Sequence, residues 1–128
     1  MKPNQAEALL RSAYTAFNAR DIETALGLMH PDVDWPNGME GGRVQGHAGI
    51  REYWTRQFKL INSQVNPQSF RVEDDGRIAV LVHQVVHDPE GKLLSDSHVE
   101  HVYRIEEGLV SHMEIRDTTA QTLAGRHP

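Results

Sequence analysis

"HVEHVYRIEEGLVSHMEI", His98 to Ile115, decides how the second half of the chain folds. Apolar and polar side chains alternate on both sides of "EEG", and a period of two is the mark of a strand. Upstream, "RIAVLVHQVVH" (77–87) is rich in β-branched residues, and "DPEG" (88–91) has proline and glycine where a turn takes them. "KLLSDSHVEHVYRI" (92–105) reads as one long strand and "LVSHMEI" (109–115) as the last. "QSFRVE" (68–73), followed by "DDG", adds a strand in front. These segments form an antiparallel meander.

The first half has a helical period. "PNQAEALLRSAYTAFNAR" (3–20) places Ala6, Leu9, Leu10, Ala13 and Phe17 on one stripe, with Asn4 and Glu7 spaced as a capping box. A second helix starts at Asp21, a good N-cap, with Ile22, Ala25, Leu26 and Met29 on one face, and Pro31 is expected to stop it. "DVDW" (32–35) is a short strand and "NGMEGGRVQG" (37–46) a glycine-rich loop. A third helix runs from about His47 to Lys59, with Ile50, Tyr53, Trp54, Phe58 and Ile61 on its apolar side. Helices followed by a meander predict an α+β fold, three helices packed on one face of a curved sheet.

Alternation sorts the strand residues into two faces. Val99, His101, Tyr103 and Ile105 form the more apolar set and are expected inside, with His98, Glu100, Val102 and Arg104 outside. Val80, Val82, Gln84 and Val86 oppose Leu81, His83, Val85 and His87; Ser111, Met113 and Ile115 oppose Val110, His112 and Glu114. Apolar residues on the second face suggest a partner subunit against it. Five of the eight histidines lie between 83 and 112, yet they make a poor metal site. His98 and His101 point to opposite faces, His83 and His87 are ~13 Å apart along a strand, and no helical histidine pair offers an anchor. No metal is expected, and His83, His87, His98 and His112 read as outer-face polar positions.

With 128 residues and a net charge of −5, the chain suits one domain over 1–128, with 118–128 a polar tail. No basic face exists for nucleic acid, no run reaches membrane-span length, and the absence of cysteine removes thiolate chemistry. A cytoplasmic protein is the expectation.

"AFNARD" (16–21), "HPDVDW" (30–35), "GRVQGHAGIREYW" (42–54) and "HVYRIEEGLVSHMEI" (101–115) together resemble the nuclear transport factor 2-like superfamily, in its ketosteroid isomerase-like and SnoaL-like branch. The resemblance spans about Ala6 to Asp117. It implies a cone-shaped α+β barrel whose curved, mostly antiparallel sheet wraps the helices around a deep pocket, and dimerisation through the outer face of the sheet. It implies no single reaction, since members include isomerases, polyketide cyclases, dehydratases, epoxide hydrolases and proteins without activity. Carried over residue by residue, the isomerases' oxyanion tyrosine falls on Ala13, with Tyr14 about 100° around the helix. The general-base aspartate falls on Asn37, and the neutral aspartic acid on His101. None of the three is retained, so the ketosteroid isomerase mechanism is not expected.

Resemblance and alternation together give a pocket lining of Phe17, Trp35, Asn37, Tyr53, Trp54, Val82, Gln84, His101, Tyr103, Met113, Ile115 and Asp117. His101 is the candidate acid or base, with Asp117 or Asp34 to orient it. The competing reading makes it an inner-sheet histidine bonded to Tyr103, Gln84 or backbone. Asp34 should point away from Trp35, and Tyr14 and Tyr53 are candidate donors to a ligand carbonyl. The glycine-rich loop would gate the mouth. The expected function is cofactor-free proton transfer (isomerisation, cyclisation, dehydration or hydrolysis) on a small apolar, oxygen-bearing molecule. The alternative is a non-catalytic binding or dimerisation module.

Overall fold

A computed structural model describes residues 2–116. The elements run α1 (Pro3–Asn18), α2 (Ile22–Gly27), β1 (Met29–Pro36), β2 (Arg43–Gln45), α3 (Gly46–Leu60), β3 (Asn62–Val72), β4 (Ile78–His87), β5 (Leu93–Glu106) and β6 (Leu109–Arg116). The six strands form one curled sheet in the order β2-β1-β6-β5-β4-β3, antiparallel except where β1 runs parallel to β6. The helices fill its concave side, the α+β cone expected from the sequence.

Several boundaries differ from the sequence reading. Helix α1 is capped at Lys2 rather than Asn4. Pro3 takes the first helical position, where its fixed φ fits and its missing N–H costs nothing, and Gln5 Oε1 accepts from the Lys2 N–H at 3.0 Å. Helix α2 stops at Gly27, so Met29 and Pro31 belong to an eight-residue β1 instead of a helix end. Helix α2 does begin as expected, with Asp21 accepting from the Thr24 N–H. The glycine-rich segment contains β2, and β3 starts at Asn62, six residues before "QSFRVE". Asn66 and Pro67 conceal that strand in the sequence; Pro67 is tolerated beside a bulge, where the register slips between Pro67 and Ser69.

Local contacts explain two of the segments that carried the family resemblance. In "AFNARD", the Asn18 side chain bonds both the carbonyl (2.8 Å) and the N–H (2.9 Å) of Val65, pinning the end of α1 to β3. In "GRVQGHAG", Gly46 has φ +73°, and a Cβ there would meet the Pro31 carbonyl at 3.3 Å. His47, next in the chain, bonds the Met29 carbonyl at 3.0 Å. These contacts hold α1 and α3 against opposite parts of the sheet.

On β6 simple alternation fails. His112 pairs with Arg104 but Val110 pairs with Ile105, so Ser111 is an extra residue in a bulge. Val110 and Met113, which alternation sets on opposite faces, both reach the core. On the convex face Ala79, Val102 and Glu100 are buried beneath an ion network made by the chain itself. Arg116 bridges Glu73 (2.8 Å) and Glu100 (3.3 Å), Arg71 reaches the same two carboxylates, and Arg77 bonds Glu114 at 2.5 Å. The long arginine stems cover apolar surface while their heads stay wet, so this part of the outer face is buried without a partner.

Candidate active site

Between α1, α3 and the concave sheet lies a cavity of about 240 Å³. Phe17, Trp35, Tyr53, Trp54, Gln84, His101, Tyr103, Met113 and Ile115 of the expected lining reach it. Its apolar wall is an aromatic cluster: Phe17 meets Trp54 edge-on at 5.2 Å, and Trp54 meets Trp35 at 5.6 Å and 87°. Met39 and Ile115 line the cavity and are also exposed, which marks its mouth.

Two residues of the expected lining lie elsewhere. Val82 is wholly buried in the core behind the wall. Asn37 turns back on its own loop: its Oδ1 accepts from the N–H groups of Met39 (3.1 Å) and Glu40 (2.9 Å), and its Nδ2 donates to Glu40 at 3.1 Å. The self-bonding that makes asparagine a turn residue takes it out of the pocket. Asp34 points outward to Arg43 at 2.5 Å and does not orient His101. Asp117 lies outside the described residues.

The partner of His101 is Tyr14. The phenol oxygen of Tyr14 lies 2.8 Å from Nδ1 of His101 and 2.8 Å from the Tyr103 hydroxyl, which donates to it. The Tyr14 and His101 rings stack at 5.8 Å, and Tyr103 stands edge-on to both. All three are buried and all three line the cavity. Strand pairing sets Tyr103 against Ile78 and Met113, and His101 against Val80 and Ile115, so β5 presents both rings inward. Tyr14 arrives from α1 on the stripe Ala6–Leu10–Tyr14, at i, i+4 and i+8. That stripe is present in the sequence, whereas the position carried over from the isomerases is Ala13, one residue short.

Burial sets the charge state of this triad. Desolvation pulls the His101 pKa down to about 4, so the imidazole is neutral at neutral pH. Desolvation also pushes both tyrosines up, with the neighbouring Tyr103 hydroxyl adding to the effect on Tyr14. Neither phenol ionises near pH 7. Three neutral groups bring three N–H or O–H hydrogens to two mutual contacts. Whichever tautomer His101 adopts, one donor is left over, and among the described residues no protein acceptor takes it.

Three more polar side chains reach the cavity, two of them outside the expected lining: Gln57 and Ser63, together with Gln84. Gln57 lies on the α3 face that already carries Tyr53 and Trp54. Ser63 falls in the part of β3 that precedes "QSFRVE", the segment expected as a strand. At the mouth the Tyr53 hydroxyl accepts from the Gly38 N–H at 3.0 Å, which ties the glycine-rich loop to α3. Among the described residues no cluster of His, Asp or Glu is arranged to hold a metal ion, and no helix is long and apolar enough to cross a membrane.

Comparison with known proteins gives a consistent relationship. A family model described as a SnoaL-like domain matches residues 10–113. The crystal structure of TerC co-crystallised with polyporic acid is 30% identical, with a TM-score of 0.76, covering 93% of this chain and 96% of TerC. An NTF2-like protein of unknown function from Burkholderia pseudomallei is 28% identical, with a TM-score of 0.77 and 97% of each chain covered. A putative polyketide cyclase from Sinorhizobium meliloti shares the fold at 20% identity and a TM-score of 0.72, over 85% of this chain and 94% of that one. No curated protein matches.

Proposed function

Because the chain belongs to the SnoaL-like domain family, we propose that its cavity takes a neutral, apolar small molecule by a carbonyl oxygen and activates that carbonyl for cofactor-free proton transfer. The observation that carries this reading is the Tyr14–His101–Tyr103 triad with its one unspent donor facing an aromatic-walled space. A donor held in a dry site strengthens its bond as negative charge grows on the acceptor oxygen. When a carbon next to the carbonyl loses its proton, the electron pair moves onto that oxygen, and the triad holds the resulting enolate. Return of the proton at another carbon gives an isomer, while attack of the enolate carbon on a second carbonyl closes a ring. Co-crystallisation of TerC with polyporic acid supports a small organic occupant.

In this scheme His101 is the electrophilic donor rather than the base. Burial disfavours the imidazolium that would form if His101 took a proton, and its Nδ1 already bonds Tyr14, so it serves the substrate oxygen as a donor. No aspartate or glutamate is among the described lining residues, so Asp117, next after β6, is the chain's candidate base. The same observation favours the second reading, a binding module that holds its ligand unchanged. The outer face of the sheet is the surface on which a second copy would pair, a question for sedimentation of the full chain.

Hydrogen exchange at carbon separates the two readings. The protein is incubated in D2O with a panel of aryl methyl ketones and 1,3-diketones, and deuterium uptake beside the carbonyl is followed by NMR. Faster uptake with wild type, lost in Tyr14→Phe and in Asp117→Asn, is the expected result. Saturable binding with uptake at the buffer rate favours the binding module and overturns catalysis.

A further inference from the structure

The cavity has a second polar end, away from the triad. Ser63 and Gln84 both point inward from the β3–β4 ladder, where Ser63 pairs with Val86 and Gln84 with Val65. That makes them diagonal neighbours, about 7–8 Å apart at the backbone. Gln57 reaches the same cavity from α3. Ser63 is 1% exposed and its hydroxyl has no hydrogen-bond partner; Gln57 is 8% exposed. Among the described residues neither the Gln57 nor the Gln84 side-chain amide is bonded to protein. Buried polar groups are nearly always satisfied, and a purely structural wall would carry valine or leucine here. The buried, unpartnered Ser63 hydroxyl, in a cavity that the Gln57 and Gln84 side chains also line, instead marks a place where an outside molecule supplies the partners.

Register gives the separation. His101 stands opposite Val80, and Gln84 lies four residues further along β4, or roughly 13 Å at the rise of a strand. Phe17, Trp54 and Val65 line the same cavity. A cavity of about 240 Å³ that reaches from one polar end to the other is slim, and its aromatic walls suit a flat, unsaturated skeleton. Two amides and a hydroxyl both donate and accept, and no arginine or lysine is among the described lining residues. The group they suit is therefore uncharged.

We propose that Gln57, Ser63 and Gln84 form a distal subsite for a hydroxyl or carbonyl at the far end of the ligand. The substrate class is then an elongated, flat, apolar molecule with a neutral oxygen at each end. This rests on the carbonyl pocket proposed above, with the triad receiving the proximal oxygen.

Two matched probes test it: 4-acetylbiphenyl, and 4-acetyl-4′-hydroxybiphenyl, which differs only in the distal hydroxyl. Affinities are measured by fluorescence or calorimetry for wild type, Tyr14→Phe, and the Ser63→Ala/Gln84→Met double variant. Wild type should bind the hydroxylated probe about tenfold more tightly, the worth of one or two well-placed hydrogen bonds. The double variant should lose that preference while binding the plain ketone at least as well as wild type does. Ser63→Ala alone should leave the thermal midpoint unchanged or raised, because the hydroxyl it removes is unbonded. Equal wild-type affinity for the two probes overturns the subsite and leaves the carbonyl pocket standing. A large loss of stability in Ser63→Ala makes the serine structural and also overturns it. If neither probe binds, or if Tyr14→Phe binds the plain ketone as wild type does, the carbonyl pocket falls and takes the subsite with it.

Discussion

The hydroxyl of Tyr14 and Nδ1 of His101 meet at 2.8 Å across 87 positions of sequence. One comes from the first helix and the other from the fifth strand. Their contact joins the two halves of the fold at the cavity and makes Tyr14 the hub of the site, since it also bonds Tyr103.

Replacing Tyr14 by phenylalanine keeps the ring and removes both bonds. His101 and Tyr103 are then left buried with unpaired polar atoms, which costs about 1–3 kcal/mol. Urea unfolding should show that loss with an unchanged m-value, because the surface exposed on unfolding is the same.

The low pKa of His101 gives the protein a pH dependence of known sign. The folded state keeps the ring neutral down to about pH 4, while the unfolded chain protonates it near its ordinary value of about 6.5. Stability from this group is therefore complete above pH ~6.5 and declines as pH falls toward about 4, by on the order of 3 kcal/mol. The urea midpoint of wild type should drop across that window more than that of His101→Gln. Parallel profiles for the two proteins would show that His101 titrates normally in the fold.

The convex face has an acid-sensitive group of its own. Arg116 first, and Arg71 after it, hold the Glu73 carboxylate down to about 2. Its contribution is complete above the unfolded value of 4.5 and is lost as pH falls through about 2. Glu73→Gln should be less stable than wild type at neutral pH, with the gap closing through that range. High salt should narrow the gap at pH 7 as well, because these charges sit at the surface.

Tyr53 holds the loop at the cavity mouth through the Gly38 N–H. Tyr53→Phe should speed amide exchange at Gly38 and raise ligand on- and off-rates together, with a stability cost of only about 0.5–1.5 kcal/mol. An unchanged exchange rate at Gly38 would mean that the loop is held by its internal Asn37 turn alone.

Much of the fold was legible because it depends on local period. The β4–β5–β6 hairpins follow from alternation and turn residues, and α1 and α3 from their apolar stripes. The elements that depart from local pattern are those where a neighbour overrides local preference. Strand β1 runs through Pro31 because parallel pairing with β6 and the α3 contacts hold it extended. Strand β3 begins in a polar stretch because β4 offers it a ladder.

The candidate site divides in the same way. Alternation alone turned His101 and Tyr103 inward together, and those residue types determined that the pocket wall is aromatic with a few polar groups. Which groups meet was decided only in three dimensions. Helix α1 rotates Tyr14, rather than Ala13, to the histidine, the loop's own hydrogen bonds withdraw Asn37, and the β6 bulge turns both Val110 and Met113 inward. Sequence period reports the face a side chain takes on its own element. The meeting of two faces depends on helix rotation, strand register and bulges, which are set by packing between residues far apart in the chain.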